Sequence, residues 1–126
     1  DGPAPRQVER VLVCSGKLFY DLMRGRRRRG GTARSAILRL EQLYPMPERE
    51  LAALLARYAR ARDWVWVQEE PLFQGAWPHI RDALQALVRD GRAWRCVAPP
   101  NTAIGAACSL PEQRQAQQQL VSEALD

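Results

Sequence analysis

The chain has 126 residues, 46% of them hydrophobic and 26% charged, with a formal net charge of +5 from 19 Lys+Arg against 14 Asp+Glu. That length suits one domain with a real core, and the balance is ordinary for a soluble globular protein. No apolar run approaches the roughly 20 residues a membrane helix needs, and no membrane partner is expected. The basic charge says little by itself: Lys17 is the only lysine, and an arginine excess of this kind fits either anion recognition or coding bias in a GC-rich genome.

The first ten residues, DGPAPRQVER, lack the apolar core of a signal peptide and are rich in Pro, Gly and Ala. Residues 1–9 are read as a linker from a longer chain and residues 10–126 as the domain. Val8 to Ser15 predicts a first strand, and Leu18, Phe19, Leu22 and Met23 give the apolar face of a helix from Lys17 to about Arg29. Ser15, Gly16 and Lys17 therefore fall where a strand passes into a helix N-terminus, a place where backbone N–H groups can hold an anion. They are the candidate effector-anion site, although the glycine spacing is not that of a P-loop and a plain structural turn explains it as well. The segment from Arg24 to Arg34 is the most basic. Glycines interrupt it and no aromatic residue is interleaved, so it reads as a solvated helix end rather than a nucleic-acid surface.

Ser35 to Tyr44 predicts a second strand, closed by Pro45-Met46-Pro47. Glu48 and Glu50 complement the dipole at the start of a helix whose stripe is Leu51, Leu54, Leu55 and Tyr58, through about Arg60. Trp64-Val65-Trp66-Val67 is β-branched and aromatic without a polar break, as a strand buried on both faces should be. It runs into Glu69-Glu70-Pro71, then Gln74-Gly75, and Trp77 opens a helix expected to reach Arg89, where Asp90-Gly91 stops it. Trp94 to Ala98 is a short strand, Asn101 to Ser109 an irregular loop, and Pro111 opens a last helix to about Leu125. Alternating strands and helices of these lengths imply an α/β fold with helices on both faces of a largely parallel sheet. In such sheets ligands and partners dock at the carboxyl ends of the strands. Glu69, Glu70, Gln74, Gly75 and Trp77 are therefore the candidate interface. A solvated loop with Trp77 filling its own core is the alternative. Cys14, Cys96 and Cys108 show no metal-ligand spacing and are read as reduced thiols in a cytoplasmic protein.

Four segments then stand in fixed order: VLVCSGKLFYDL, ILRLEQLYPMP, VWVQEEPLFQGAW and a glycine loop followed by QQQLVSEAL. This series resembles the C-terminal region of the thiamine-diphosphate-dependent first component of 2-oxoglutarate dehydrogenase complexes, from about Arg10 to Leu125. More weakly, it is similar to the C-terminal domains of transketolase-like enzymes. The resemblance implies a three-layer α/β/α sandwich of the transketolase C-terminal type, around a small mixed, mainly parallel sheet. It implies a parent enzyme that decarboxylates 2-oxoglutarate with thiamine diphosphate and magnesium and passes the succinyl unit to a lipoyl group on the second component. Its partners would be the cofactor-binding domains of the same enzyme, a homodimer mate and that second component. The Gly-Asp-Gly signature for magnesium and diphosphate is missing from this chain, so the fragment is expected to bind no cofactor or metal and to hold no catalytic residue, His79 included. Relatives carry a Ser-Pro-Ala-Thr-Gly-like loop followed by a histidine. Here residues 101–110 read NTAIGAACSL without one, a departure that leaves open a parent acting on another 2-oxo acid, such as 2-oxoadipate. The alternative function is a regulatory acyl-coenzyme A or nucleotide-binding module of such a dehydrogenase, with the ligand's phosphates held by the Cys14–Lys17 turn and the nearby arginines.

Overall fold

The structure is a computed structural model, and it describes residues 2–30, 34–88, 92–100 and 109–126. Four strands form one sheet: β1 Arg10–Ser15, β2 Ser35–Leu40, β3 Asp63–Val67 and β4 Trp94–Val97. Four α-helices alternate with them: α1 Leu18–Arg29, α2 Glu48–Ala56, α3 Trp77–Ala86 and α4 Leu110–Leu125. The order across the sheet is β2-β1-β3-β4 and every pairing is parallel. The fold is thus the expected α/β one. The antiparallel strand that a mixed sheet would need is not among the described residues.

Side-chain alternation on the strands builds two cores, one on each face. Val11, Val13, Trp64 and Trp66 point to the side covered by α2 and α3, where Leu51, Leu55, Ile80 and Leu84 meet them. Leu12, Cys14, Val65 and Val67 point to the other, under Leu18 and Leu22 of α1 and Leu120, Val121 and Ala124 of α4. β1 and β3 lie at the centre, and every residue from Val11 to Cys14 is fully buried. This explains why these strands read as unbroken apolar runs: a strand covered on both faces has no polar side to alternate with. The packed unit also begins ahead of Arg10. Val8 is buried in the α2/α3 core, and the backbone carbonyl of Glu9 accepts from the N–H groups of Arg62 and Asp63.

Several elements stop short of their expected ends. β2 ends at Leu40, which pairs with Ser15, the last residue of β1; beyond it the ladder has no partner. Tyr44, read as strand, is instead 94% exposed. α2 stops at Ala56 rather than Arg60, and α3 at Ala86, with Leu87 as its cap. The expected helix stop at Asp90-Gly91, the loop Asn101 to Cys108 and part of the basic segment, residues 31–33, lie outside the described residues.

At the amino ends of the strands, Asp63 gathers two arginines. It accepts from Arg95 Nε and a terminal guanidinium nitrogen, both at 2.8 Å, and from Arg10 Nε at 2.7 Å. The Arg95 hydrogen bond, aided by the charges of Arg95 and Arg10, holds the Asp63 carboxyl below the usual carboxylate range against the opposing effect of partial burial. A folded pKa below the unfolded one means that this stabilisation is complete above the unfolded value of about 3.9 and is lost as pH falls through the folded value. Urea unfolding of this chain and of Asp63→Asn should therefore differ at pH 7, with the native sequence the more stable, and the two curves should converge on acidification. Curves that stay parallel to pH 2 would show that Asp63 contributes nothing through its charge.

Candidate functional site

The connection from β1 leads to one side of the sheet, to β2, and the connection from β3 to the other, to β4, so the strand order reverses between β1 and β3. At their carboxyl ends lies a cleft of about 1330 Å³. Ser15, Gly16 and Lys17 border it from β1, Gln68, Glu69, Glu70 and Gly75 from β3, Tyr44, Pro45 and Glu48 from the β2–α2 connection, and His79 from α3. Ser15, Gly16 and Lys17 thus share one opening with Glu69, Glu70 and Gly75, over fifty residues later in the sequence, at the position the topology favours for binding, while Gln74 and Trp77 do not line it.

The loop that forms its wall is held by one side chain. Gln68 is only 4% exposed, directly after β3. Its Oε1 accepts from Trp66 Nε1 and from the backbone N–H of Trp77, each at 3.0 Å. Its Nε2 donates to the carbonyls of Glu70, Pro71 and Gln74 at 3.0, 2.8 and 2.8 Å. A primary amide has two N–H groups and one oxygen with two lone pairs, so one N–H is shared and the group is saturated. The amide can face only one way, since exchanging O and N would set donor against donor at both Trp66 and Trp77.

This network disposes the candidate interface residues unequally. Gly75 has φ of 66°, where a side chain is strained, and a Cβ there would stand 2.9 Å from Glu70 Oε1. Glu70 and Gln74 are exposed, with the Gln74 carbonyl engaged by Gln68. Glu69 is half-buried: Gln117 Nε2 on α4 donates to its Oε2 at 3.0 Å and to Asp21 Oδ2 on α1 at 2.9 Å. Trp77 is half-buried against the α2/α3 core. Glu69 and Trp77 thus have partners inside the domain, while Glu70 presents its carboxylate outward.

For an anion the cleft is poorly equipped. Lys17 shares it with Glu48, Glu69 and Glu70, so the fixed charge facing a phosphate is acidic. Among the described residues no group of three or more His, Cys, Asp or Glu comes together as a metal site would require, and no helix is long and apolar enough to cross a membrane. Cys14 and Cys96 are free thiols, both pushed up to about 12 by burial, so neither is a thiolate nucleophile at neutral pH; Cys108 lies outside the described residues. Sequence reasoning passed over Gln68 and Gln117 because a glutamine beside two glutamates, or within QQQ, reads as surface. A signal existed for the first: it directly continues a buried apolar run, where a polar side chain must find partners.

Comparison with known proteins adds the following. Residues 2–125 match the family described as "2-oxoglutarate dehydrogenase C-terminal". The chain is 41% identical over 123 residues to the 2-oxoglutarate dehydrogenase E1 component of Coxiella burnetii, covering 97% of this chain and 13% of that protein. It is 38% identical over 121 residues to that of Haemophilus influenzae, covering 96% and 13% respectively. The chain therefore spans about one eighth of the length of these relatives. Among solved structures it resembles a split-gene transketolase, an inactive beta4 tetramer, with a TM-score of 0.63 over 99% of this chain and 42% of that one. At 15% identity that likeness speaks to the fold alone.

Removing the Gln68 amide leaves the Trp66 N–H and several backbone groups without partners, and each buried orphan costs about 1–3 kcal/mol. Gln68→Ala should lower the unfolding free energy by about 3 kcal/mol and shift tryptophan emission to the red as Trp66 and Trp77 gain water. Equal stability and an unchanged spectrum would mean that the loop holds itself. Gly75→Ala, strained both by φ and by Glu70, should cost about 1 kcal/mol or more in the same assay.

Proposed function

This chain belongs to the 2-oxoglutarate dehydrogenase C-terminal family, and from that premise we propose that it is the non-catalytic, bracing C-terminal domain of a 2-oxoglutarate dehydrogenase first component. The complete enzyme, in this reading, is cytoplasmic and homodimeric; it decarboxylates 2-oxoglutarate and transfers the succinyl unit to a lipoyl group of the complex's second component. Thiamine diphosphate with magnesium, held by other domains, supplies the electron sink for loss of carbon dioxide. The part of this chain is to dock on those domains and hold them in register.

The observation that carries the docking role is where exposed apolar side chains collect. Of the six large apolar residues that are exposed among the described ones, Tyr44, Leu72, Phe73 and Leu110 lie in the segments following β2, β3 and β4. All four therefore belong to the carboxyl edge of the sheet: Tyr44 lines the cleft together with Glu48 and Glu70, Leu72 and Phe73 follow Glu70 in the chain, and Leu110 lines the neighbouring hollow with Lys17 and Glu69. Phe73 is 76% and Leu110 66% exposed. Exposed apolar side chains on the same edge as carboxylates fit a partner surface with aliphatic and arginine side chains. Glu70, exposed and with no side-chain hydrogen bond or ion pair to a described residue, is the group best placed to receive such an arginine, and Trp77 stiffens the loop from behind.

The alternative of an acyl-coenzyme A or nucleotide site at Ser15, Gly16 and Lys17 gains no support from a cleft with three carboxylates to one lysine.

Two experiments bear on the proposal. In the full-length enzyme, Glu70→Ala should weaken dimer association and activity together, by about a hundredfold or more for a desolvated ion pair broken from one side, while costing the isolated 126-residue chain little stability. Trp77→Ala should destabilise both forms, because its ring packs on the domain's own core. Unchanged activity and dimer dissociation constant in Glu70→Ala would reduce the loop to a solvated turn. Separately, the isolated chain should neither bind thiamine diphosphate nor release carbon dioxide from 2-oxoglutarate; if it did either unaided, the bracing role would be the wrong one.

A further inference from the structure

The layer formed by α1 and α4 carries a surface unlike the carboxyl edge. The two helices run parallel and are fixed in register at both ends. Gln117 donates to Asp21 at one end, and at the other Arg29 grips Asp126 with two guanidinium nitrogens at 2.7 and 3.0 Å. Between these ties the helices come unusually close at Gly25, where a Cβ would stand only 2.6 Å from Val121 Cγ1. The close approach leaves a furrow of about 510 Å³ above the contact, with Gly25 and Val121 at its base. Arg24 and Arg28 line it from α1, and Arg114, Gln118 and Ser122 from α4.

Few acids answer this charge. Arg29 is engaged with Asp126. Asp21, the one carboxylate lining the furrow, already accepts from Gln117 and stands 3.5 Å from Arg24. Arg28 and Arg114 are exposed and have no hydrogen bond or ion pair to a described residue. A helix end that merely needed cations to complement its dipole would not require a further arginine from the first turns of a second helix.

The spacing limits what could bind. Arg24 and Arg28 are one helical turn apart, about 6 Å along the axis, and Arg114 to Ser122 spans about 12 Å. A single phosphate reaches one or two of these groups. A row of carboxylates repeated at the same helical interval reaches all of them, and each guanidinium can take a carboxylate through two parallel hydrogen bonds. We propose that the α1/α4 furrow is a docking surface for an acidic helical segment of a separate polypeptide. Carboxylates one turn apart would meet Arg24 and Arg28 on one side and Arg114 on the other, with small side chains lying over Gly25 and Val121. Gln118 and Ser122 supply neutral hydrogen bonds along the same line. The site does not depend on the carboxyl-edge docking proposed above, since it uses none of the loops of that edge.

The test is a fluorescence-anisotropy titration of the full-length protein that carries this chain. The probe is a fluorescein-labelled alanine-based helical peptide with glutamate at every fourth position, and its glutamine analogue is the control. The glutamate peptide should bind, less tightly as salt rises, and the glutamine analogue should not. Arg28→Glu with Arg114→Glu should weaken binding at least about tenfold, since both interactions become repulsive. Arg49→Glu with Arg60→Glu makes the same change in net charge at exposed positions away from the furrow and should leave binding within about twofold. Because all four are exposed side chains, thermal midpoints should fall only slightly, Arg28→Glu placing an acid in the last turn of α1; should the glutamate pair unfold the protein, Arg28→Gln with Arg114→Gln must still weaken binding severalfold. Equal loss from the two charge-reversed pairs, equal binding of the glutamine peptide, or displacement by duplex DNA or anionic vesicles as effective as by unlabelled peptide would overturn the proposal.

Discussion

One buried primary amide shapes the carboxyl edge of this domain. A parallel sheet supplies hydrogen bonds only while its neighbours continue, and β3 loses that support at Val67, apart from the bond from Gln68 N–H to the Val97 carbonyl. The following backbone must then turn through residues 68–77 and start a helix without leaving polar groups dry and unpaired. Gln68 meets that need with a single side chain, joining Trp66 below it, three carbonyls around it and the first N–H of α3. The low dielectric that makes such a network strong when complete also makes it costly when broken from one side. The outward set of Glu70, the left-handed Gly75 and the placement of Trp77 against the core are consequences of that geometry rather than independent features.

The same contrast between local and tertiary causes decides what the sequence made legible. Fold class followed from local pattern: β1 and β3 are continuous apolar runs because helices cover both their faces, and α1 and α2 carry stripes at the helical period. Their ends did not follow, because an end is set by what the neighbour does. β2 stops at Leu40 since β1 has no residue left to pair with, and nothing within ILRLEQLY announces it. At the site, the acids, the glycine and Trp77 were recognisable as a strand-to-helix loop. That Glu69 turns inward depends on Gln117, nearly fifty residues later in the chain. Similarly, Ser15-Gly16-Lys17 resembled an anion cradle in isolation; its environment is acidic only because the fold brings Glu48, Glu69 and Glu70 beside it.

A net charge of +5 conceals this partition. Carboxylates stand beside exposed aromatic and aliphatic side chains at the carboxyl edge, whereas α1 alone carries five arginines, with Arg114 of α4 next to two of them in the furrow. Coding bias can explain why the cations are arginines rather than lysines. It does not explain why Arg114 meets Arg24 and Arg28 in one furrow, because a bias in codon composition is blind to which residues the fold later places side by side.

Gln117 joins these two surfaces. Its amide hydrogen-bonds Glu69 of the cleft wall and Asp21 of the α1/α4 layer, and Asp21 in turn lies beside Arg24 at the mouth of the furrow. The carboxyl-edge loop is therefore not a free appendage: one end of it is fixed through Gln68 to β3 and α3, and the other side through Glu69 to α4 and α1. The proposed bracing role needs this. An interface loop held only at its own ends would yield under load, and ordering it on contact would subtract from the binding free energy. Cross-tied to helices on both faces of the sheet, it presents Glu70 and Phe73 from a base that is already ordered before any partner arrives.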